Sequence, residues 1–269
     1  MTSQSRKCET FAALHRREGA FLIPNPFDAG SARVLQALGF PALATTSAGF
    51  AQTLGRADGQ ATLEEKIDHC ARLAQATSIP INVDFEDGYA RNPDEVGRNV
   101  LKMAATGVAG CSIEDFNRET QRLIGIDEAV ERLQAAAEAV TTLGMPFMLT
   151  ARAENLLRGV GDLDEAIRRL QAFEQAGADV LYAPALKTLE DLQRLAAEVT
   201  RPINVLGVMI RGATVAELAD AGAKRISVGS ALASLAMGPV IDAGREMLER
   251  GTFGWLAAMP SDLSRLMKD

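Results

Sequence analysis

Short apolar segments alternate with longer amphipathic segments along most of the chain. Each short segment has four or five residues, the length and apolar character of a buried strand. Such strands are predicted at 20–24, 42–46, 81–84, 110–114, 147–151, 180–183, 203–206 and 225–228. Between them, apolar residues recur with helical spacing. This pattern predicts helices over 62–75, 93–105, 126–142, 162–175, 188–199, 214–221 and 231–249.

A repeated junction joins these helices to the strands that follow them. At Gly39, Gly107, Gly177 and Gly222 a helical pattern ends and an apolar strand begins. Glycine in this place is typical of the αβ junction of a repeated β/α unit. Eight units in about 230 residues favour a (β/α)8 TIM barrel in a single domain over 1–269. A Rossmann sheet is disfavoured because no G-x-G-x-x-G follows the first strand.

Composition and charge narrow the class of protein. With 47% apolar and 23% charged residues the chain is typical of globular proteins, and no apolar run is long enough to span a membrane. The first residues lack the apolar core of a secretion signal, so we expect a cytoplasmic protein. A net charge of −7 without a basic run argues against nucleic acid as a partner. Cys8, Cys70 and Cys111 are isolated and are expected to be buried, reduced thiols.

The clearest chemical signal follows the third predicted strand. Asp84, Glu86 and Asp87 place three carboxylates within four residues, and Gly88 closes the group. Carboxylates this close repel one another, and burying them is costly unless they are paired or bind a metal. Mg2+ or Mn2+ is the simplest compensating ion because both prefer oxygen ligands. A solvated acidic loop is the alternative for such a motif taken alone.

Polar residues follow the other strands as well. In a TIM barrel the carboxyl ends of the strands carry the chemistry. The polar residues at these ends are Asn25, Asp28, Thr46, Ser47, Glu114, Asp115, Arg152, Glu154, Asn155, Lys187 and Ser230. Solvated loops explain some of them, but explain less well an acidic cluster that faces Glu114 and Arg152. His15 and His69 lie on helical patterns, where we expect packing rather than acid–base catalysis.

Four stretches, taken in order, resemble the isocitrate lyase/phosphoenolpyruvate mutase superfamily, whose members are (β/α)8 barrels that bind Mg2+ and a 2-oxo acid. They are Thr-Thr-Ser-Ala-Gly-Phe at 45–50, Asp-Phe-Glu-Asp-Gly-Tyr at 84–89, Ser-Ile-Glu-Asp at 112–115 and Thr-Ala-Arg-Ala-Glu at 150–154. The resemblance covers nearly the whole chain. It implies a homodimer or homotetramer that exchanges the last barrel helix, with the C-terminal helical extension at 252–269 at a subunit interface.

The resemblance also implies roles for particular residues. Asp84 matches the direct ligand of Mg2+, while Glu86 and Glu114 match carboxylates that hold the metal through water; Asp58 matches a further acidic residue of the metal shell. This set suits Mg2+, which keeps several of its waters.

The substrate side of the site is implied in the same way. Ser47, Ala48 and Gly49 match a turn whose backbone amides bind the carboxylate or oxo group of the substrate. Arg152 matches the arginine that binds the substrate, and its guanidinium offers a charge-assisted fork to a carboxylate. Ser47, Arg152 and Tyr89 are therefore the candidate catalytic residues.

Three departures from the superfamily pattern bear on function. Glu86 stands where the superfamily usually has aspartate. The lyase branch has a Cys-Gly-His segment after the fourth strand, whereas residues 116–125 contain neither cysteine nor histidine, so cleavage of isocitrate or methylisocitrate is not expected. The Lys-Thr-Asn-Ser loop of the mutase and phosphonopyruvate hydrolase branches is also absent. Arg118 and Arg122 lie in this loop and are candidates for reaching an anion.

The remaining metal, amide and arginine groups predict a Mg2+-dependent lyase for a small anionic 2-oxo acid or dicarboxylate. Oxaloacetate is the simplest substrate, cleaved as in an oxaloacetate decarboxylase through a metal-stabilised enolate that water or Tyr89 protonates. One alternative is a carbon–phosphorus bond hydrolase or mutase of the phosphonopyruvate type. Another is a non-catalytic protein that binds a 2-oxo acid.

Overall fold

A computed structural model describes residues 2–267. The core is one curled sheet of eight parallel strands, and all eight lie where the apolar pattern predicts them. They are β1 (Phe21–Leu22), β2 (Leu43–Ala44), β3 (Ile81–Asp84), β4 (Gly110–Glu114), β7 (Met148–Arg152), β8 (Val180–Tyr182), β9 (Ile203–Leu206) and β10 (Ala223–Ser227). The hairpin of β5 (Phe116–Asn117) and β6 (Arg122–Leu123) is separate and was not predicted. The order β1-β10-β9-β8-β7-β4-β3-β2 is consistent with a fold of the TIM-barrel type.

The two edges of the curled sheet meet between β1 and β2. The Ala44 amide donates a hydrogen bond of 3.1 Å to the carbonyl of Pro24. Just beyond β1, the Asn25 side chain donates to the Thr45 carbonyl at 2.9 Å and accepts from the Val228 amide at 2.8 Å. Asn25 therefore ties the carboxyl end of β1 to the strands on both sides.

Eleven α-helices are present among residues 2–267. They are α1 (Ser3–Arg16), α2 (Ala29–Ala37), α3 (Ser47–Thr53), α4 (Leu63–Ala76), α5 (Pro93–Ala104), α6 (Ile126–Thr141), α7 (Leu163–Gln175), α8 (Leu189–Glu198), α9 (Val215–Asp220), α10 (Ala231–Arg250) and α11 (Leu263–Leu266). Short 3-10 helices span Gly207–Met209 and Gly254–Ala258. At the start of α4, Thr62 and Glu65 form the capping box that their spacing predicts. None of these helices combines the length and apolar character needed to cross a membrane.

The two faces of the parallel sheet differ in polarity. Positions that face the helices are apolar and buried, as in Val83, Cys111 and Leu149. Because strand side chains alternate between faces, the next positions point into the barrel, and Asn82 and Ser112 lie there. Barrel interiors are usually filled by bulky branched residues. This interior is polar instead, and it leaves a cavity.

The last long helix packs little against the rest of the chain. Of the 20 residues of α10, Ala233 is buried. Several large apolar side chains of α10 and the segment after it are more than half exposed: Leu235, Val240, Leu248, Phe253 and Leu256. Exchange of α10 between subunits is compatible with this surface and stays a prediction. The last two residues of the predicted interface segment, 268–269, lie outside the described residues.

Candidate active site

A cavity of about 240 Å³ lies at the carboxyl ends of the barrel strands. It is lined by four of the predicted site residues, Ser47, Ala48, Asp84 and Arg152. Residues from β2, β3 and β7 meet here because the carboxyl ends of parallel strands share one end of a barrel. Asp84 is the only acidic residue among those that line it within the described chain.

Asp84 connects the cavity wall to both predicted substrate-binding elements. One carboxylate oxygen accepts the Ser47 backbone amide at 2.8 Å, and the other accepts from Arg152 Nη1 at 3.0 Å. Burial acts to raise the pKa of Asp84, but Arg152, Lys66 and the Ser47 hydrogen bonds outweigh it and hold this pKa below its usual value. Asp84 is therefore a carboxylate, the form that a metal requires.

Arg152 is the centre of the buried charge cluster. Besides Asp84, its guanidinium contacts Glu114 at 3.2 Å and Glu154 at 2.8 Å, and it lies 5.4 Å from the centre of the Tyr182 ring. Arg158, which is more exposed, contacts Glu154 from the other side at 3.0 Å. The arginine predicted to bind substrate thus also holds the carboxylates of three strand ends in place.

Glu86 is surrounded by cations and a phenol. The Tyr89 hydroxyl donates a short hydrogen bond to Glu86, while Lys66 and Arg118 lie 3.5 and 3.7 Å from its two oxygens. Lys66 is fully buried, and the sequence analysis did not identify it as a site residue. The sequence feature that marks it is its position on the apolar face of α4, one turn before Cys70.

Glu114 is buried close to three other carboxylates. Burial, together with the neighbouring Glu154, Asp84 and Glu86, raises the pKa of Glu114 well above its usual value despite the contact with Arg152. A bound cation would relieve this repulsion. Residues 2–267 hold no group of three or more acidic, histidine or cysteine side chains arranged to enclose a metal. The ionised carboxylate of Asp84 is a donor that suits Mg2+, which keeps several of its waters, and the metal-shell roles of Glu86 and Glu114 stay predictions.

The predicted substrate-binding turn at 47–49 is largely buried, whereas the predicted metal-shell residue Asp58 is exposed. The Gly49 amide donates to the Thr46 hydroxyl at 3.2 Å, and the Ser47 amide donates to Asp84. Within residues 2–267, the Ala48 amide between them donates to no side chain. A Cβ at Gly49 would lie 2.5 Å from the Thr46 methyl group, which explains glycine here. Asp58 lies in an exposed turn, where its carboxylate accepts from the Gly59 amide at 3.0 Å.

The two tyrosines differ in their relation to the cavity. Tyr89 bonds to Glu86 but does not line the cavity, whereas Tyr182, at the end of β8, does. Burial raises the pKa of Tyr182 to about 12, against the lowering effect of Arg152 and of a hydrogen bond with Ser227. Tyr182 thus keeps its proton at neutral pH. Its position at a strand end was the signal that sequence reasoning overlooked.

The loop after β4 is anchored beside the acidic cluster. Asp87 accepts the backbone amides of Tyr89 at 3.1 Å and Arg118 at 3.2 Å. The Arg118 guanidinium lies 4.1 Å from the centre of the Tyr89 ring and donates to the Ala61 carbonyl at 2.7 Å. Asp87 therefore shapes the loop, while Arg122 is exposed.

Known proteins resemble the chain over most of its length. The family model described as phosphoenolpyruvate phosphomutase matches residues 11–248. A Burkholderia cenocepacia J2315 crystal structure, provisionally called a lyase/mutase, is 44% identical, covers 98% of this chain and 97% of its own, and has a TM-score of 0.94. The structure of 2,3-dimethylmalate lyase is 26% identical, with coverages of 100% and 95% and a TM-score of 0.86.

The chain is also similar in sequence to a named enzyme. Oxaloacetate decarboxylase of Rhodopseudomonas palustris (strain BisB18) is 35% identical over 189 residues, which are 67% of this chain and 64% of the relative. The family match spans most of the chain, and the structural likeness extends to the strands that carry the cavity residues. The chain therefore belongs to the phosphoenolpyruvate mutase/isocitrate lyase superfamily.

Proposed function

We propose that this protein is a Mg2+-dependent lyase that cleaves a carbon–carbon bond in a small 2-oxo or 2-hydroxy dicarboxylate. Oxaloacetate is the simplest candidate substrate. The similarity to proteins named oxaloacetate decarboxylase and 2,3-dimethylmalate lyase supports a lyase within the superfamily.

The proposal rests on one observation. A carboxylate of the kind that binds metal ions lines the same cavity as groups that can bind an anion. Asp84 and Arg152 line it together, in direct contact at 3.0 Å. Around them, Asp84, Glu86, Glu114 and Glu154 are balanced by four cations, Lys66, Arg118, Arg152 and Arg158. A divalent cation and a dianionic substrate that bound here together would add no net charge to this buried cluster.

The protein residues would divide the work of cleavage. A bound Mg2+ supplies positive charge for the oxygen that becomes negative as the carbon–carbon bond breaks. Arg152 and the Ala48 amide orient the substrate carboxylate, and each oriented donor is worth roughly 3 to 4 kcal/mol in other enzymes. The Tyr182 hydroxyl donates a proton to the carbon that received the electron pair of the broken bond. Tyr89 instead positions Glu86.

The assembly that we propose is a homodimer or homotetramer. The exposed apolar side chains of α10, such as Leu235 and Leu248, would be buried by a second copy. Gel filtration should give at least twice the chain mass of 28.6 kDa, and elution as a monomer would contradict this assembly.

The function is tested by a substrate panel. Pyruvate and phosphate release would be measured for oxaloacetate, phosphonopyruvate and methylisocitrate, with Mg2+ or with EDTA. We expect pyruvate from oxaloacetate, lost with EDTA and in Asp84→Ala. Asp94→Ala is the matched control for the loss of an acidic residue, because Asp94 is exposed on α5 and does not line the cavity. Phosphate release would instead assign carbon–phosphorus cleavage, and Mg2+-dependent binding of oxalate without turnover of any substrate would assign a binding protein.

A further inference from the structure

Arg225 is a buried cation that forms no ion pair with a carboxylate in the described part of the chain. It lies on β10 and is 2% exposed. Its guanidinium donates to Asn204 Oδ1 at 2.8 Å and to Thr150 Oγ1 at 3.0 Å, and it lies 3.4 Å from His15 Nε2. A guanidinium has five N–H groups, so two remain. Burial lowers the pKa of Arg225 to about 9, as expected for a cation without a counter-ion.

The histidine beside Arg225 does not supply the missing charge. His15 Nδ1 donates to the Phe11 carbonyl at 2.8 Å, which leaves Nε2 as the acceptor that faces Arg225. Burial, followed by the charge of Arg225, lowers the pKa of His15 to about 3. His15 is therefore neutral, and all three partners of Arg225 are neutral acceptors.

Arg225 lies in the lining of the active-site cavity, which also contains Arg152. Tyr182 and Asn204, which line the cavity from the strands between β7 and β10, are uncharged. A buried cation that lines a cavity and has no counter-ion favours an anion as the ligand.

The contact with Thr150 relates Arg225 to Arg152 along β7. Thr150, which Arg225 contacts, and Arg152 lie two residues apart on the same face of β7. Two residues of a strand span roughly 6.6 Å. The contact between Arg225 and Thr150 therefore lies about one layer of side chains deeper in the barrel than Arg152. This separation is on the scale of a small dicarboxylate.

We propose that Arg225 forms a second anion subsite, which binds the distal carboxylate of a dicarboxylate whose other end lies at Asp84 and Arg152. This inference rests on the proposed function and narrows its substrate class. In oxaloacetate the distal carboxylate is the group that leaves as CO2, and a guanidinium that stabilises it would slow its loss. We therefore expect pyruvate release from oxaloacetate to be slower than cleavage of a dicarboxylate that keeps both carboxylates in its products.

Binding measurements test the subsite without turnover. The affinities of three probes would be measured by calorimetry with Mg2+ present. Oxalate is short enough to bind at Asp84 and Arg152 alone. Malate has a distal carboxylate, and 2-hydroxybutyrate has a methyl group in its place. The wild-type protein should bind malate about tenfold or more tightly than 2-hydroxybutyrate, because charge-assisted hydrogen bonds are lost with the carboxylate.

Two variants and a control separate the subsite from a structural effect. Arg225→Gln should reduce the malate preference to about threefold or less. Asn204→Asp keeps the shape of the side chain and gives Arg225 an internal counter-ion, so it should also remove the preference while the protein stays folded. Oxalate affinity should stay within about threefold in both. Lys224→Gln removes a neighbouring cation that instead donates to the Gly19 carbonyl at 2.8 Å, and it should leave the preference intact.

The outcomes are distinguishable. Oxalate binding without a malate preference in the wild type, or a preference that survives in both variants, would overturn the subsite and leave the proposed function standing. If the wild-type protein bound no oxalate with Mg2+, the proposed function would fail and the subsite with it.

Discussion

Replacing Arg152 by methionine tests whether the charge cluster holds the strand ends together. Arg152→Met keeps much of the side-chain volume but removes the cation that lies within 3.2 Å of Asp84, Glu114 and Glu154. The three carboxylates would then repel one another in a buried place. We expect this variant to be less stable than the wild type in the absence of Mg2+.

The structure gives the magnitude. At an effective dielectric constant of about 20, a charge pair at 3 Å is worth roughly 5 kcal/mol before desolvation is subtracted. Removal of one partner from a buried ion pair typically costs 3–5 kcal/mol. For a chain of this size, 1 kcal/mol corresponds to about 2–4 °C in Tm, so we expect a loss of roughly 6–20 °C.

Arg158→Met is the matched control. Arg158 contacts the same Glu154 at 3.0 Å, but its side chain is 31% exposed, compared with 12% for Arg152. Solvent screens such a pair, so the expected cost is at most about 1 kcal/mol. Thermal unfolding in EDTA, followed by circular dichroism, measures both variants. If the two variants lost equal stability, or if Arg152→Met lost less than about 1 kcal/mol, burial would not be what makes the Arg152 cluster important.

Three further predictions concern single side chains. Tyr182→Phe should lower kcat for pyruvate formation by about 10²- to 10⁴-fold if its hydroxyl donates the proton, while Tyr89→Phe should have a much smaller effect. Because burial and a neighbouring guanidinium lower the pKa of His15 to about 3, its contribution to stability is present above pH 6.5 and is lost as the pH falls toward 3. Between pH 6.5 and 5 the wild-type free energy of unfolding should fall by about 2 kcal/mol through this histidine. Urea unfolding should show that His15→Gln does not undergo this fall. Gly49→Ala places a methyl group 2.5 Å from a threonine methyl and should cost about 1–3 kcal/mol in urea unfolding; an unchanged midpoint would show that the turn relaxes freely.

Local signals predicted the elements of the sheet because each strand is a short apolar run between helical patterns. The same signals located Asp84 and Arg152, since both directly end buried strands. The β5–β6 hairpin was missed because each of its strands combines one apolar and one polar residue and neither forms an apolar run. The roles predicted for Asp58, Glu86 and Glu114 as metal-shell residues stay predictions.

The sequence by itself determined the fold type, the superfamily and the strand ends at which the chemistry lies, because hydrophobic period and motif order are local properties of the chain. The tertiary structure decided which polar side chains share a cavity. It placed Tyr182 in the lining of the cavity and Tyr89 outside it, and among residues 2–267 it left Arg225 buried without an ion pair to a carboxylate. Arg225 and Thr150, for example, are 75 residues apart in sequence, and only the closing of the curled sheet brings them together.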